Sequence, residues 1–300
     1  MPSGSKSKTT RTAPAVVRRK APPWGLIAGV TVVVLFAVAI FGYAFVRNQQ
    51  KADQASALAP WTPTAQNQDP SKALAGIQIQ AYTGGQHVEP NVRIAYTHSP
   101  PMGGAHDYSW AACNGVVYPN PVRSENLVHS MEHGAVWIAY NPDQISGDAL
   151  TTLSAKVQNQ PYTVMSPYPG LDQPISLQSW GHQLKLSDAT DPRIDEFITA
   201  LRTNSYVYPE AGASCAEIGP SGFSQDNPPA FQPIPGPADA SDPNVQPEVS
   251  ANAADSAVVP DAGTAGGATA PTGAAPTGAA PTGAGAPAAG TQPTAPAPTG

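Results

Sequence analysis

The chain has 300 residues and a formal net charge of −6, but that mean hides three unlike segments. The first 23 residues carry six cations and no acid, residues 47–202 carry nine cations and thirteen acids, and no Lys or Arg follows Arg202. No part of the middle offers the basic groove that nucleic acid requires, so a nucleic-acid partner is excluded.

Taken in chain order, residues 1–23 form a basic segment expected in the cytoplasm. Residues 25–46 then run without a charge or a strong polar group. As a helix this run spans about 33 Å, enough for a bilayer core and too long for the apolar part of a cleaved signal peptide. A single transmembrane helix is therefore expected over 24–46, with the bilayer as its partner. The cationic head places the N-terminus inside and everything after Val46 outside. Residues 47–75 read as a juxtamembrane linker, rich in Ala, Gln and Pro.

From 76 to 218 the pattern is that of one folded extracytoplasmic domain. Ile77, Ile79 and Ala81 alternate with polar residues, and 92–96 and 116–118 read as further strands. Ser124 is a candidate cap for a helix over 125–133, stopped by Gly134, with a buried strand at 135–140. Ser146 precedes a second helix at 148–158 with Leu150, Leu153 and Val157 on one face. Strands follow at 162–165 and 175–180, and Leu184 and Leu186 alternate after them. Asp191 and Pro192 start a third helix over 193–202, whose stripe is Ile194, Phe197, Ile198 and Leu201. The expected class is α+β, with a mixed or antiparallel sheet and about three short helices.

Residues 219–300 fall to Pro, Ala, Gly, Thr and Ser, with Pro-Thr-Gly-Ala repeats from Pro271 onward. No apolar face is left to offset ordering entropy, so this tail is expected to be disordered, with cell-envelope polymer or proteins as its partners. The two cysteines, Cys113 and Cys215, both lie in the part expected outside, where an isolated pair reads as a disulfide. The other reading, a pair of thiolate ligands, needs them reduced and adjacent.

All six histidines, His87, His98, His106, His129, His133 and His182, lie in the folded stretch. The sharpest pattern is His129, Glu132 and His133, which a helix brings to one side. Two imidazoles four residues apart make a bidentate metal site. The same spelling is the inverted zinc-protease motif, in which Glu132 is the general base. Three readings stand: a metal site without hydrolysis, a structural polar cluster, and a zinc hydrolase completed by Glu196 or Glu210. In the first, His129 and His133 are the core ligands, His106 the third and His87 the fourth. Neutral imidazoles suit zinc or copper. Met102 and Met131 tilt the choice towards copper, although Met131 faces away from both histidines on a regular helix. No nucleophile elbow, free thiol or phosphate loop is present.

An ordered series of motifs runs through the domain. It comprises His87-Val88, Tyr96, the Pro100 to His106 turn, Trp110, the Gly115 to Tyr118 run and the Val128 to Gly134 helix. It continues with the Ser166 to Gly170 turn, Trp180-Gly181, and Pro209-Glu210 ahead of Cys215. Together they resemble a bacterial family known as domain of unknown function 3105. The resemblance implies a basic head, one membrane anchor and one exported domain, and it implies no activity.

Overall fold

The computed structural model describes residues 22–219 and 222–248. The basic head up to residue 21 and the Pro-Thr-Gly-Ala repeats lie outside the described residues. Helix α1 (Trp24–Leu58) has a mean hydropathy of 2.6 over its most apolar stretch and no buried residue, so it is long and apolar enough to cross a membrane. It does not end where the apolar run ends at Val46. The polar stretch after Arg47 carries few helix breakers, and the helix continues through it before a 3-10 turn at Ala59–Trp61.

Among the described residues the domain has ten short strands: β1 (Gln78–Ile79), β2 (His87–Val88), β3 (Arg93–Ala95), β4 (His106–Asp107), β5 (Asn114–Val117), β6 (Val136–Tyr140), β7 (Thr163–Pro167), β8 (Ile175–Ser179), β9 (His182–Leu186) and β10 (Val245–Pro247). Three helices accompany them: α2 (Ser124–Glu132), α3 (Gly147–Val157) and α4 (Arg193–Leu201). Six strands form one mixed sheet in the order β1-β9-β8-β6-β7-β5. β7 runs parallel to both β5 and β6, whereas β6, β8, β9 and β1 are joined antiparallel.

The connections explain the layers. The chain passes from β5 through α2 to β6, then reverses direction along the sheet through α3 to β7. Crossovers of one hand that run in opposite directions put their helices on opposite faces. Accordingly β6 is buried on both sides. Val136, Ile138 and Tyr140 pack with Leu153 of α3 and Phe197 of α4, whereas Trp137 and Ala139 pack with Leu127, Val128 and Met131 of α2.

The helix signals act as local chemistry requires, with two shifts: Pro192 holds the cap place of α4 that Asp191 was expected to fill, and the start of α2 moves by one residue. Asp191 accepts from the Arg193 N–H at 2.9 Å at the start of α4. Ser124 is the first residue of α2 rather than its cap, a place held by Arg123 without a side-chain cap bond. Gly134, at φ +91°, ends α2, and its N–H bonds to the Met131 carbonyl. A Cβ there would lie 2.7 Å from the Tyr208 ring, so glycine is required twice over.

Two boundaries move. The end of the expected linker is part of the fold: Ser71 is fully buried and Leu74 sits in the α3/α4 core. The packed chain also runs past residue 219. Phe223 is fully buried against Tyr118, and β10 pairs in parallel with β3. Composition there is poor in apolar residues, but Phe223, Phe231 and Ile234 pack on the core and a strand's backbone hydrogen bonds join them. Cys113 and Cys215 are joined, with Cα atoms 4.8 Å apart.

Candidate metal centre

The site begins with a two-residue ladder. β2 and β4 pair in parallel, and the register sets His87 directly opposite His106. Their rings lie 4.8 Å apart. α2 packs against β4, and His129 comes from it to within 4.8 Å of His87 and 4.7 Å of His106, ring centre to ring centre. One turn on, Glu132 completes the group. One ligand atom from each of His87, His106, His129 and Glu132 lies within 4.8 Å of every other.

Each ring is aimed from behind. His106 Nδ1 is 2.8 Å from the Gly104 carbonyl, and His129 Nδ1 is 2.7 Å from the Asp107 carbonyl. A carbonyl only accepts, so each Nδ1 carries the proton and donates, and the Nε2 lone pair faces the cluster. Metal-ligating histidines are oriented in this way. Asp107 is itself fixed, since its carboxylate pairs with buried Arg123 and accepts from the Ser109 N–H. Arg123 also bonds the Val92 carbonyl and pairs with Glu125, so its charge is not left uncompensated.

The carboxylate is held equally firmly. Glu132 Oε1 accepts from the Gly85 N–H at 2.6 Å. Gly84 alongside has no room for a side chain, because a Cβ would lie 2.9 Å from that oxygen and 2.7 Å from Pro209. Glu132 Oε2 is 2.8 Å from His106 Nε2 and 3.7 Å from His87 Nε2. All three of these atoms are buried, and none has hydrogen-bond geometry to any partner. Other orphaned polar atoms, such as Ser179 Oγ, are scattered, whereas these three converge. Leaving one such atom unsatisfied costs about 1–3 kcal/mol, so three at one point call for a shared partner.

Electrostatics favour a cation there. Burial above all, then the neighbouring His106 and His133, push the His129 imidazole down to about 3, so it is neutral at physiological pH. Burial pushes the Glu132 carboxyl up, but the contact with His106 and the Gly85 N–H together hold it below the ordinary carboxylate value. Neutral imidazoles and an ionised carboxylate are the forms that ligate metals. Aromatic rings wall the cluster. Tyr108 stacks on His87 at 5.1 Å, Trp180 meets His106 edge-on, and Trp110 lies against both His129 and His133.

His133 departs from the expected four-histidine set. Its ring stays beside His129, 4.5 Å away, as the helix spacing predicts. However, its Nδ1 donates to the Ser214 carbonyl at 2.6 Å and its Nε2 lies 3.1 Å from Glu210 Oε2. It therefore belongs to a second group, His129, His133 and Glu210, that shares only His129 with the first. The position His133 was expected to fill is taken by Glu132, which the sequence pattern casts as a base. Glu210 is the downstream carboxylate weighed in the hydrolase reading, and Glu196 plays no part in either group.

The remaining histidines are placed elsewhere. His182 donates from Nδ1 to the Trp180 carbonyl and faces Asp69 Oδ2 from Nε2 at 3.2 Å, pinning the end of the linker to β9. Burial raises the Asp69 carboxyl, but the bonds from His182 and Ser71 bring it below its usual value. His98 sits beside Thr97, 3.1 Å from its hydroxyl. Met102 and Met131 are buried in the apolar cluster on the α2 side, which removes the argument for copper from their presence in the sequence. Nothing local in the sequence marks the Asp69–His182 pair or the His87–His106 register.

Residues 87–217 match the family described as "protein of unknown function (DUF3105)". The match opens at His87 and takes in every residue of both groups and both cysteines. No curated protein and no solved structure matches the chain.

Proposed function

We propose that this chain, whose residues 87–217 are a DUF3105 domain, is a membrane-anchored module that binds one divalent transition-metal ion through His87, His106, His129 and Glu132. The observation that carries the reading is the meeting of His87 Nε2, His106 Nε2 and Glu132 Oε2, buried and without hydrogen bonds, beside His129. Three imidazole nitrogens and one carboxylate oxygen suit zinc or cupric copper, and the lack of a thioether in the set tells against cuprous copper.

The anchor is α1, with the basic head inside and the domain outside; the disulfide fits that oxidising side. The low-complexity tail, whose Pro-Thr-Gly-Ala repeats carry no apolar face, is the segment assigned to envelope polymer or proteins.

One observation favours a second reading. The 2.8 Å contact of His106 with Glu132 also suits a proton in place of a metal, which makes the group a structural polar cluster. Hydrolysis has less support. Glu132 is fully buried and its Oε1 is engaged by the Gly85 N–H, so it does not face an open position as a base must.

Elemental analysis of the full-length chain, purified in detergent, separates these readings. One zinc or copper per chain in the wild type, lost in both His106→Ala and Glu132→Gln, supports the site. A wild-type chain that stays metal-free after incubation with either ion leaves the structural cluster.

A further inference from the structure

Two ligand groups meet at His129, and they differ in how they face solvent. In the outer group the Glu210 side chain is 37% exposed and His133 3%; in the inner group His106 and Glu132 are at 0% and His87 at 24%. The outer pair is held by a different part of the chain from the inner group. The Glu210 N–H bonds the Glu132 carbonyl, and His133 is oriented by Ser214, next to Cys215. The bond from Cys215 to Cys113, with the Cys113 N–H donating to the Cys215 carbonyl at 2.9 Å, ties this loop to the domain beneath.

His129 has only one nitrogen to offer. Its Nδ1 is engaged by the Asp107 carbonyl, so a single Nε2 lone pair serves both groups. One lone pair binds one ion at a time, so the two groups are alternative positions of a single ion. The inner one is also the better resting place. Its buried atoms have no hydrogen-bond partner, whereas the Glu210 carboxylate is partly exposed and open to water.

Resting on the reading above, we propose that His133 and Glu210 form the entry position of the site, where an incoming divalent ion is first held before it passes along His129 to the inner group. The geometry is a short ladder of ligands, from a partly exposed carboxylate through a shared imidazole to a more buried set in which His87 is the most exposed member. Burial by itself opposes the last step; what makes it downhill is the donor set, three imidazoles and a carboxylate whose buried atoms have no other hydrogen-bond partner, against two imidazoles and a partly exposed carboxylate.

A path and a ligand are told apart by kinetics. A residue that lies only on the path changes loading and release together and leaves their ratio, the affinity, alone. The test uses full-length protein in detergent micelles, loaded with Zn²⁺ in a stopped-flow instrument and unloaded by excess chromophoric chelator. It is run on the wild type, Glu210→Gln, His133→Gln and Tyr108→Ala. Wild type should bind one zinc, not two. Glu210→Gln and His133→Gln should still bind one zinc with affinity within about twofold of wild type, with both rates slowed at least about tenfold. Because Glu210 is half-exposed, its variant keeps the test valid should the buried His133 variant fold poorly.

Unchanged rates in Glu210→Gln, above all with altered rates in Tyr108→Ala, would place the entrance beside His87 and overturn the proposal. Two zinc ions per chain, or loss of zinc in the Glu210 variant, would do so as well. A wild type that binds no zinc and no copper removes the underlying reading instead.

Discussion

The two faces of the six-stranded sheet solve burial in opposite ways. On the α3/α4 side the core is mostly apolar, with Val136, Ile138, Leu153, Val157, Ile194, Phe197 and Leu201 in one cluster. On the other side sits α2, nine residues long and buried at every position, including Ser124, Glu125, Asn126, His129, Ser130 and Glu132. A helix so polar stays buried only if its groups find partners. Ser130 donates to the Ala111 carbonyl, Asn126 to the Ser109 carbonyl, and Glu125 accepts from the Ile94 N–H. The first face is a packing device. The second specifies positions, and where its satisfaction fails at a point of convergence, the candidate site lies.

The comparison predicts where the fold is most easily broken. The α2 face depends on covalent and chain-end supports that the α3/α4 face lacks. Replacing Cys113 and Cys215 with Ser frees a loop of 102 residues and should cost about 4–5 kcal/mol in the chain-entropy model. Thermal unfolding of the full chain in detergent checks this, and a drop of only a degree or two would show that the loop is held by other means.

Next in size is the segment beyond residue 219. Phe223→Ala should cost about 3–5 kcal/mol, on a par with truncating a core residue such as Phe197 on the other face. Denaturant midpoints of the two variants, side by side, decide whether the late segment is core or covering. A Phe223 variant as stable as wild type would return the boundary to residue 219.

Arg123→Ala should leave Asp107 buried without its partner and cost about 3–5 kcal/mol. Because the Asp107 backbone carbonyl accepts the hydrogen bond from His129 Nδ1, disturbing Asp107 should lower metal affinity about 10–100-fold, the usual effect of disturbing a group that orients a ligand. Isothermal titration on the folded fraction reads the second effect apart from the first.

Acid should act mainly on the α2 face. His129 is held at about 3 in the fold and near its ordinary value when unfolded, so between those values the unfolded chain binds more protons. Stability of the metal-free chain is therefore full above about pH 6.5 and declines as pH falls towards 3. Glu132 and Asp69, both held below their usual values, add to the loss below about pH 4.5. Unfolding midpoints across that range should slope upward with pH in the wild type and less steeply in His129→Ala. The smallest effect belongs to the apolar face, where the Lys156–Asp195 ion pair joins α3 to α4 at its partly exposed rim. Lys156→Ala should change stability by no more than about 1 kcal/mol.

What the amino-acid order determined by itself is what neighbours in the chain can decide. The apolar run of α1, the stripes of α3 and α4, the stop at Gly134 and the buried strand β6 need only periodicity, charge and turn chemistry over a few residues. The pairing of Cys113 with Cys215 needed only their number and the side of the membrane expected for them. The placing of His129 beside His133 followed from helix pitch. The site itself was decided elsewhere. A two-residue ladder carries no periodic signal, so the facing of His87 and His106 came only with the fold. Glu132 reads as a base within its motif, yet the Gly85 N–H from a distant loop turns it into a member of the inner group. His133 was drawn away by Ser214 and Glu210, which the disulfide brings near. Tertiary structure decided these because each turns on a hydrogen bond or ion pair between distant segments, and such bonds have no pattern in the local sequence.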